Sequence, residues 1–142
     1  MTVNVGYYTP LLHVKSIDES MRFYALLGFE KVDQMGEGGC LGWARMHCEG
    51  GAIMFLTAEE PVDASKQTVL FAMYTPDLSA LREHLLANGL NAPPITYPDY
   101  MPSGAIHLLD PDGYMISVNH WSEKEHATWE KERKTRIAAG QP

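Results

Sequence analysis

The sequence predicts an α+β fold built from two β-α-β-β-β modules and a C-terminal helix. Three observations lead there. The halves repeat at a fixed offset: moving the N-terminal half by 61 residues lays Ser16-Ile17 on Asp77-Leu78, Tyr24 on Leu85 and Leu27-Gly28-Phe29 on Asn88-Gly89-Leu90. A shift of 62 lays Gly51-Ala52-Ile53-Met54-Phe55-Leu56 on Gly113-Tyr114-Met115-Ile116-Ser117-Val118, and two copies of one module explain both. Each half also sets a capping residue before an apolar row at helical spacing and a glycine after it. Finally, short strand-like stretches follow each helix, separated by turn residues.

The elements follow in order. Tyr7 to Val14 is rich in aromatic and branched residues and reads as a strand. Ser16 and Glu19 form a capping box, Ile17, Met21 and Tyr24 continue at helical spacing, and Gly28 stops the helix. Phe29 to Met35 is the second strand, and the Gly-Glu-Gly-Gly stretch at 36–39 is a turn. Cys40 to His47 and Ala52 to Thr57 form a hairpin across Glu49-Gly50-Gly51, which completes the first module at residue 57. Residues 58–67 read as a polar linker, and the second module runs from 68 to 121. In it, Thr68 to Tyr74 is a strand and Asp77 caps a helix carrying Leu78, Leu81 and Leu85 on one face. Ile95 to Tyr97, Gly104 to Leu109 and Tyr114 to His120 are the remaining strands, the last two joined by the turn Asp110-Pro111-Asp112-Gly113. The two carboxylates of that turn are expected to be solvated. Residues 122–142 form a helical extension capped by Ser122 and Glu125, too polar to bury much except through Trp129.

Composition narrows the function classes. With 142 residues, 45% of them apolar, the chain can bury one core or two small ones sharing a domain. Residues 1–121 hold 14 acidic against 6 basic side chains, a net of −8, while 122–142 hold 4 against 5, a net of +1. An acidic body argues against nucleic acid as a partner and tolerates a cationic small molecule. No apolar run reaches the roughly 18 residues of a membrane helix, and Met1 to Gly6 lacks the basic residues of a secretory signal. Cys40 and Cys48 flank one predicted strand about 26 Å apart, too far for a disulfide. A cytoplasmic protein in a reducing compartment is the expectation.

The residues at this point resemble a family. Thr9-Pro10-Leu11-Leu12-His13-Val14, Ile17 to Tyr24, Leu27-Gly28-Phe29 and Leu109-Asp110-Pro111-Asp112-Gly113-Tyr114, in that order and spacing, are similar to the vicinal oxygen chelate superfamily. That superfamily comprises glyoxalase I, extradiol dioxygenases, fosfomycin-resistance enzymes and bleomycin-resistance proteins. The resemblance covers residues 7–121 and implies paired modules curled around a central cavity, in a homodimer. Its enzymes hold a divalent metal with a His or Glu from the first and last strand of each module. Matched motif by motif, those positions are Thr9, Phe55, Leu70 and Ser117. None is an imidazole, thiolate or carboxylate, so no metal and no cofactor are expected. His13 and His107 are the remaining candidates for an irregular metal site, with His107 opposite Ser117 if the Asp-Pro-Asp-Gly turn has a three-residue loop.

Phe55, Ile53, Leu70, Tyr74 and Met115 are expected to line the cavity, Trp43 joins them if the first hairpin has a three-residue loop, and Tyr97, Tyr100 and Met101 form a mouth. Thr9, His13, His107, Ser117 and Asn119 are its polar groups, and Trp121 lies at the far strand end. Such walls suit a flat or amphipathic organic ligand. The sequence shows no phosphate loop, nucleophile elbow or Cys-His pair. The leading expectation is a metal-free binder of the bleomycin-resistance type, sequestering an aromatic or cationic compound as in antibiotic resistance. A metal-dependent lyase or dioxygenase using His13 and His107 is the alternative, and an interaction module built on the last helix is a third.

Overall fold

The computed structural model describes residues 3, 5, 8–37 and 41–140, so the expected strand start at Tyr7, the glycines 38 and 39, and Cys40 lie outside the described residues. The chain is α+β. Its elements run β1 (Leu11–Val14), α1 (Ile17–Leu26), β2 (Glu30–Met35), β3 (Trp43–Cys48), β4 (Gly51–Thr57), β5 (Leu70–Thr75), α2 (Leu78–Ala87), β6 (Ala105–Leu109), β7 (Met115–His120) and α3 (Glu123–Ala138). One sheet has the order β1-β4-β3-β2 and the other β5-β7-β6. The chain packs as two units, residues 1–69 with 109–115 and residues 70–108 with 116–142.

The repeat is visible at the level of single hydrogen bonds. Phe29 N–H donates to the Tyr24 carbonyl and Leu90 N–H to the Leu85 carbonyl, while Gly28 and Gly89 donate to Ala25 and Leu86. Both glycines have positive φ, 93° and 83°. Each helix thus ends in the same Schellman turn, and in the first the apolar contact that accompanies it is the Tyr24–Phe29 ring pair. The N-termini follow the sequence too: Ser16 Oγ accepts from Glu19 N–H, Asp77 Oδ1 from Ala80 N–H and Ser122 Oγ from Glu125 N–H.

One expected strand is nearly absent. Ile95 to Tyr97 contributes the single bridge Thr96–Ala105 in place of a strand. Pro93, Pro94 and Pro98 surround it and have no N–H to extend a ladder. The second sheet is consequently one strand narrower than the first.

In the first unit α1 covers one face of the four-stranded sheet. Leu12, Val14, Ala44, Met46, Ile53 and Phe55 are buried, together with Ile17, Phe23, Tyr24 and Phe29. Tyr24 and Phe55 hold their ring centroids 5.3 Å apart. In the second unit Leu78 and Leu85 of α2 are buried, as are Ile106, Leu108, Ile116 and Val118 of the sheet. Helix α3 buries none of its residues, and Trp129, through which the sequence led one to expect burial, is exposed.

Candidate functional site

The register of the first sheet decides which side chains are available. β3 and β4 pair as Cys48–Gly51, Met46–Ile53, Arg45–Met54, Ala44–Phe55 and Trp43–Leu56, a two-residue loop at Glu49-Gly50. β1 runs parallel to β4 with Leu11 beside Met54, Leu12 beside Phe55 and His13 beside Leu56. Directly paired residues share a face, and successive residues alternate. Phe55 therefore belongs with Leu12 and Ala44 under α1, where it is 0% exposed. The opposite face carries Leu11, His13, Trp43, Arg45, Met54 and Leu56.

This corrects the expected facing of Phe55 and Ile53: both are core residues, on the side away from His13. Two registers differ from the expectation: the parallel pairing with β1 sets Phe55 beside Leu12 and leaves His13 beside Leu56, and the two-residue loop sets Trp43 beside Leu56, where a three-residue loop would set it beside Thr57. Leu56 pairs with both His13 and Trp43, so the expected ligand residues His13 and Trp43 do meet on one face. Arg45, Met54 and Leu56, missed in the sequence, complete it; a Glu-Gly pair at a hairpin tip was the signal for the shorter loop. Leu11 is 40% and Leu56 36% exposed, Trp43, Arg45 and Met54 are half-buried, and Thr9 precedes the strand half-buried. Arg45 lies 5.5 Å from the Trp43 ring and donates from Nη2 to the Met54 sulfur at 3.6 Å.

At the end of this face is a concavity of about 510 Å³ lined by His13, Leu56, Tyr114 and the segment Thr57 to Asp63 with Gln67. Its floor is fixed by the 110–114 turn. Tyr24 Oη donates to Asp110 Oδ2 at 2.9 Å, and Asp110 Oδ1 accepts from the N–H groups of Asp112 and Tyr114. Tyr114 Oη donates to the His13 carbonyl at 2.8 Å, and Lys15 N–H to Asp112 Oδ1. Asp110, expected to be solvated, is 5% exposed. Burial pushes its carboxyl above the usual range against those three donors, and burial pushes the Tyr24 hydroxyl up as well, with the Asp110 charge adding to it. A carboxylate with its lone pairs so committed is an anchor for the turn.

The second unit holds the rest of the expected residues. The bonds Asp110 N–H to Tyr114 O and His120 N–H to Gly104 O bracket the β6–β7 ladder in one register, which places His107 opposite Ser117 across a three-residue loop. His107 is exposed and its Nε2 lies 2.8 Å from Tyr100 Oη. Ser117, 3% exposed, donates from Oγ to Asn119 Oδ1 at 3.0 Å. Leu70, Tyr74, Tyr97 and Tyr100 are exposed, Met101 is half-buried, and the Tyr74 ring lies 5.5 Å from Trp121. Met115 is exposed in the first unit.

The two hairpins thus place Met54, beside Arg45, in the position that Ser117 holds beside His107. The metal positions given by the repeat become Thr9, Met54, Leu70 and Ser117, a donor set of two hydroxyls and a thioether that suits none of zinc, iron or manganese. Among the described residues no group of three or more His, Cys, Asp or Glu side chains is arranged to hold a metal ion. Among the described residues no helix is long and apolar enough to cross a membrane.

Residues 5–118 match the family described as Glyoxalase/Bleomycin resistance protein/Dioxygenase superfamily. The chain belongs to that superfamily. Comparison with curated proteins gives no significant match. Among solved structures, a bleomycin-binding protein complexed with bleomycin is similar at 17% identity and a TM-score of 0.66, covering 83% of this chain and all of that one. TnmS3, an antibiotic-binding protein from Streptomyces sp. CB03234, is similar at 16% identity and a TM-score of 0.67, covering 85% and 100%. The fosfomycin resistance protein FosX from Listeria monocytogenes is similar at 14% identity and 0.64, covering 87% and 98%. At these identities the likeness is one of fold.

Proposed function

We propose that this superfamily member binds and sequesters a small aromatic compound, without a metal and without transforming it. The observation that carries the reading is the face of the first sheet opposite α1, where Leu11, Trp43, Met54 and Leu56 surround His13 and Arg45. Apolar and aromatic walls with a few polar groups supply affinity by burial and orientation by hydrogen bonds. The fold-level likeness to bleomycin-binding and antibiotic-binding proteins supports the same reading. Glu59 and Glu60 at the edge of the concavity support a cationic ligand instead, although Asp63 beside them is occupied by Lys66 and Ser65.

The test pairs metal content with binding. Protein purified without chelator is expected to carry no stoichiometric zinc, iron, manganese or nickel, and naphthalene-ring probes are expected to quench Trp43 fluorescence saturably in the same preparation. Stoichiometric metal restoring turnover of an oxoaldehyde or a catechol would overturn the reading in favour of the lyase or dioxygenase alternative. Homodimerisation and a cytoplasmic location are part of the proposal, the first checked by light scattering on the eluting protein.

A further inference from the structure

Arg45 lies on the face of the first sheet opposite α1, and its charge has no carboxylate partner within ion-pair distance among the described residues. Its Nε is buried and lacks any hydrogen-bond acceptor. Its other contacts are weak ones, a thioether at 3.6 Å and an indole ring at 5.5 Å. Leaving a buried charged donor unmet is among the costlier arrangements a fold can keep. Asp33 of β2 stands directly across from Arg45, yet its Oδ1 accepts from the Gln34 N–H at 2.8 Å. The carboxylate that stands across from Arg45 accepts instead from the backbone of the next residue.

We propose that Arg45 is an anion subsite, so that the ligand is an aromatic acid: a ring against Leu11, Trp43 and Leu56, and a carboxylate received by the guanidinium fork. The proposal rests on the aromatic-binding reading and adds the charge of the ligand. A guanidinium presents its N–H groups in parallel pairs matched to the two oxygens of a carboxylate, and with Nε buried the Nη pair is the edge a ligand reaches. Trp43 lies beside the guanidinium, and Met54 accepts from Nη2 only through a thioether, a weak acceptor beside a carboxylate. The acidic body does not decide the matter: its charges act through water and are screened beyond about 8 Å at physiological ionic strength. The contact at Arg45 is local.

The experiment compares three probes of one shape, 2-naphthoate, 2-naphthalenemethanol and 2-naphthylmethylammonium, by calorimetry on the full chain, with the Arg Nε–H signals followed by NMR. The acid is expected to bind about tenfold or more tightly than the alcohol, the scale of a hydrogen-bonded charge, and to shift the Arg45 Nε–H signal. Arg45→Gln should remove the preference for the acid over the alcohol, with the melting temperature reporting that the variant folds. Arg45→Lys should keep part of the preference, and Asp33→Asn should increase it. Equal binding of acid and alcohol, or tighter binding of the ammonium probe, overturns the anion subsite while the binding reading stands. Failure of all three to bind overturns both.

Discussion

The β3–β4 and β6–β7 hairpins are repeat-mates, and they differ by a single residue at the tip. The first closes over two residues, Glu49-Gly50, and the second over three, Pro111 to Gly113. That residue moves the repeat offset from 62 on the first strand of the hairpin to 63 on the last, as in Thr57 N–H to the Gly42 carbonyl against His120 N–H to the Gly104 carbonyl. Met54 is therefore the counterpart of Ser117, and Phe55 the counterpart of Val118. The same module yields a face with a guanidinium, thioether and indole in the first unit, and one with an imidazole, hydroxyl and amide in the second. Duplicated modules keep their cores, and loop length decides what the other face presents.

The strongest way to break this comparison is to truncate neighbours on β4. Phe55→Ala is expected to cost about 3–5 kcal/mol, as deletion of a fully buried ring does. Met54→Ala, on the half-buried face, should cost about 1 kcal/mol or less. Urea unfolding of both variants checks the pair. Costs in the reverse order would mean that β4 sits one residue out of the register described.

The same residues show how far the sequence could be read. Both helices, their caps and their glycine stops were legible because each signal is local: Ser16 to Glu19, Asp77 to Ala80, and Gly28 and Gly89 at positive φ. The β6–β7 turn was legible, and its three-residue loop, one of the readings left open, is the one that places His107 opposite Ser117. The facing of β4 was not, because it is set by the parallel pairing of Phe55 with Leu12, 43 residues away, and no local pattern fixes that register. Arg45 escaped notice for the same reason, since its importance depends on which strand face it occupies. The anchoring of Asp110 by Tyr24 joins residues 86 apart in sequence, and no local pattern announces it.

That anchor sharpens the comparison next, because the 110–114 turn packs in the first unit although it joins strands of the second sheet. Asp110→Ala leaves the Tyr24 hydroxyl and two N–H groups without their acceptor and should cost about 2–3 kcal/mol. Asp110→Asn keeps one oxygen for the N–H pair and turns its amide to the Tyr24 oxygen, so about 1 kcal/mol is expected. The pH dependence separates charge from geometry. Burial raises the Asp110 pKa in the folded state, so the folded protein binds this proton more readily than the unfolded chain does. Its contribution is fully present below the ordinary aspartate range and is lost as pH rises through the raised value. The stability of the natural protein relative to Asp110→Asn should accordingly grow as pH falls from neutral toward about 4 and stay level below that. A gap that shrinks on acidification would mean that the three donors outweigh burial.

Gly42 and Gly104 give the finest test, since they precede β3 and β6 as repeat-mates and differ in what they require. Gly104 has φ +116°, and a Cβ there would stand 3.0 Å from Leu78 Cδ1 and 3.1 Å from Ile95 Cγ2. Gly42 lies outside the left-handed region, and a Cβ there would meet nothing nearer than the Met35 carbonyl oxygen at 4.0 Å. Gly104→Ala combines a disfavoured backbone with crowding between α2 and the Ile95 segment and should cost about 2 kcal/mol. Gly42→Ala removes freedom mainly from the unfolded chain and should be neutral or stabilise by about 0.5 kcal/mol. Melting temperatures of the two variants, measured side by side, decide it. Equal losses would mean that the entry to β3 is as constrained as the entry to β6, and that the crowded glycine of the second unit has an unseen twin in the first.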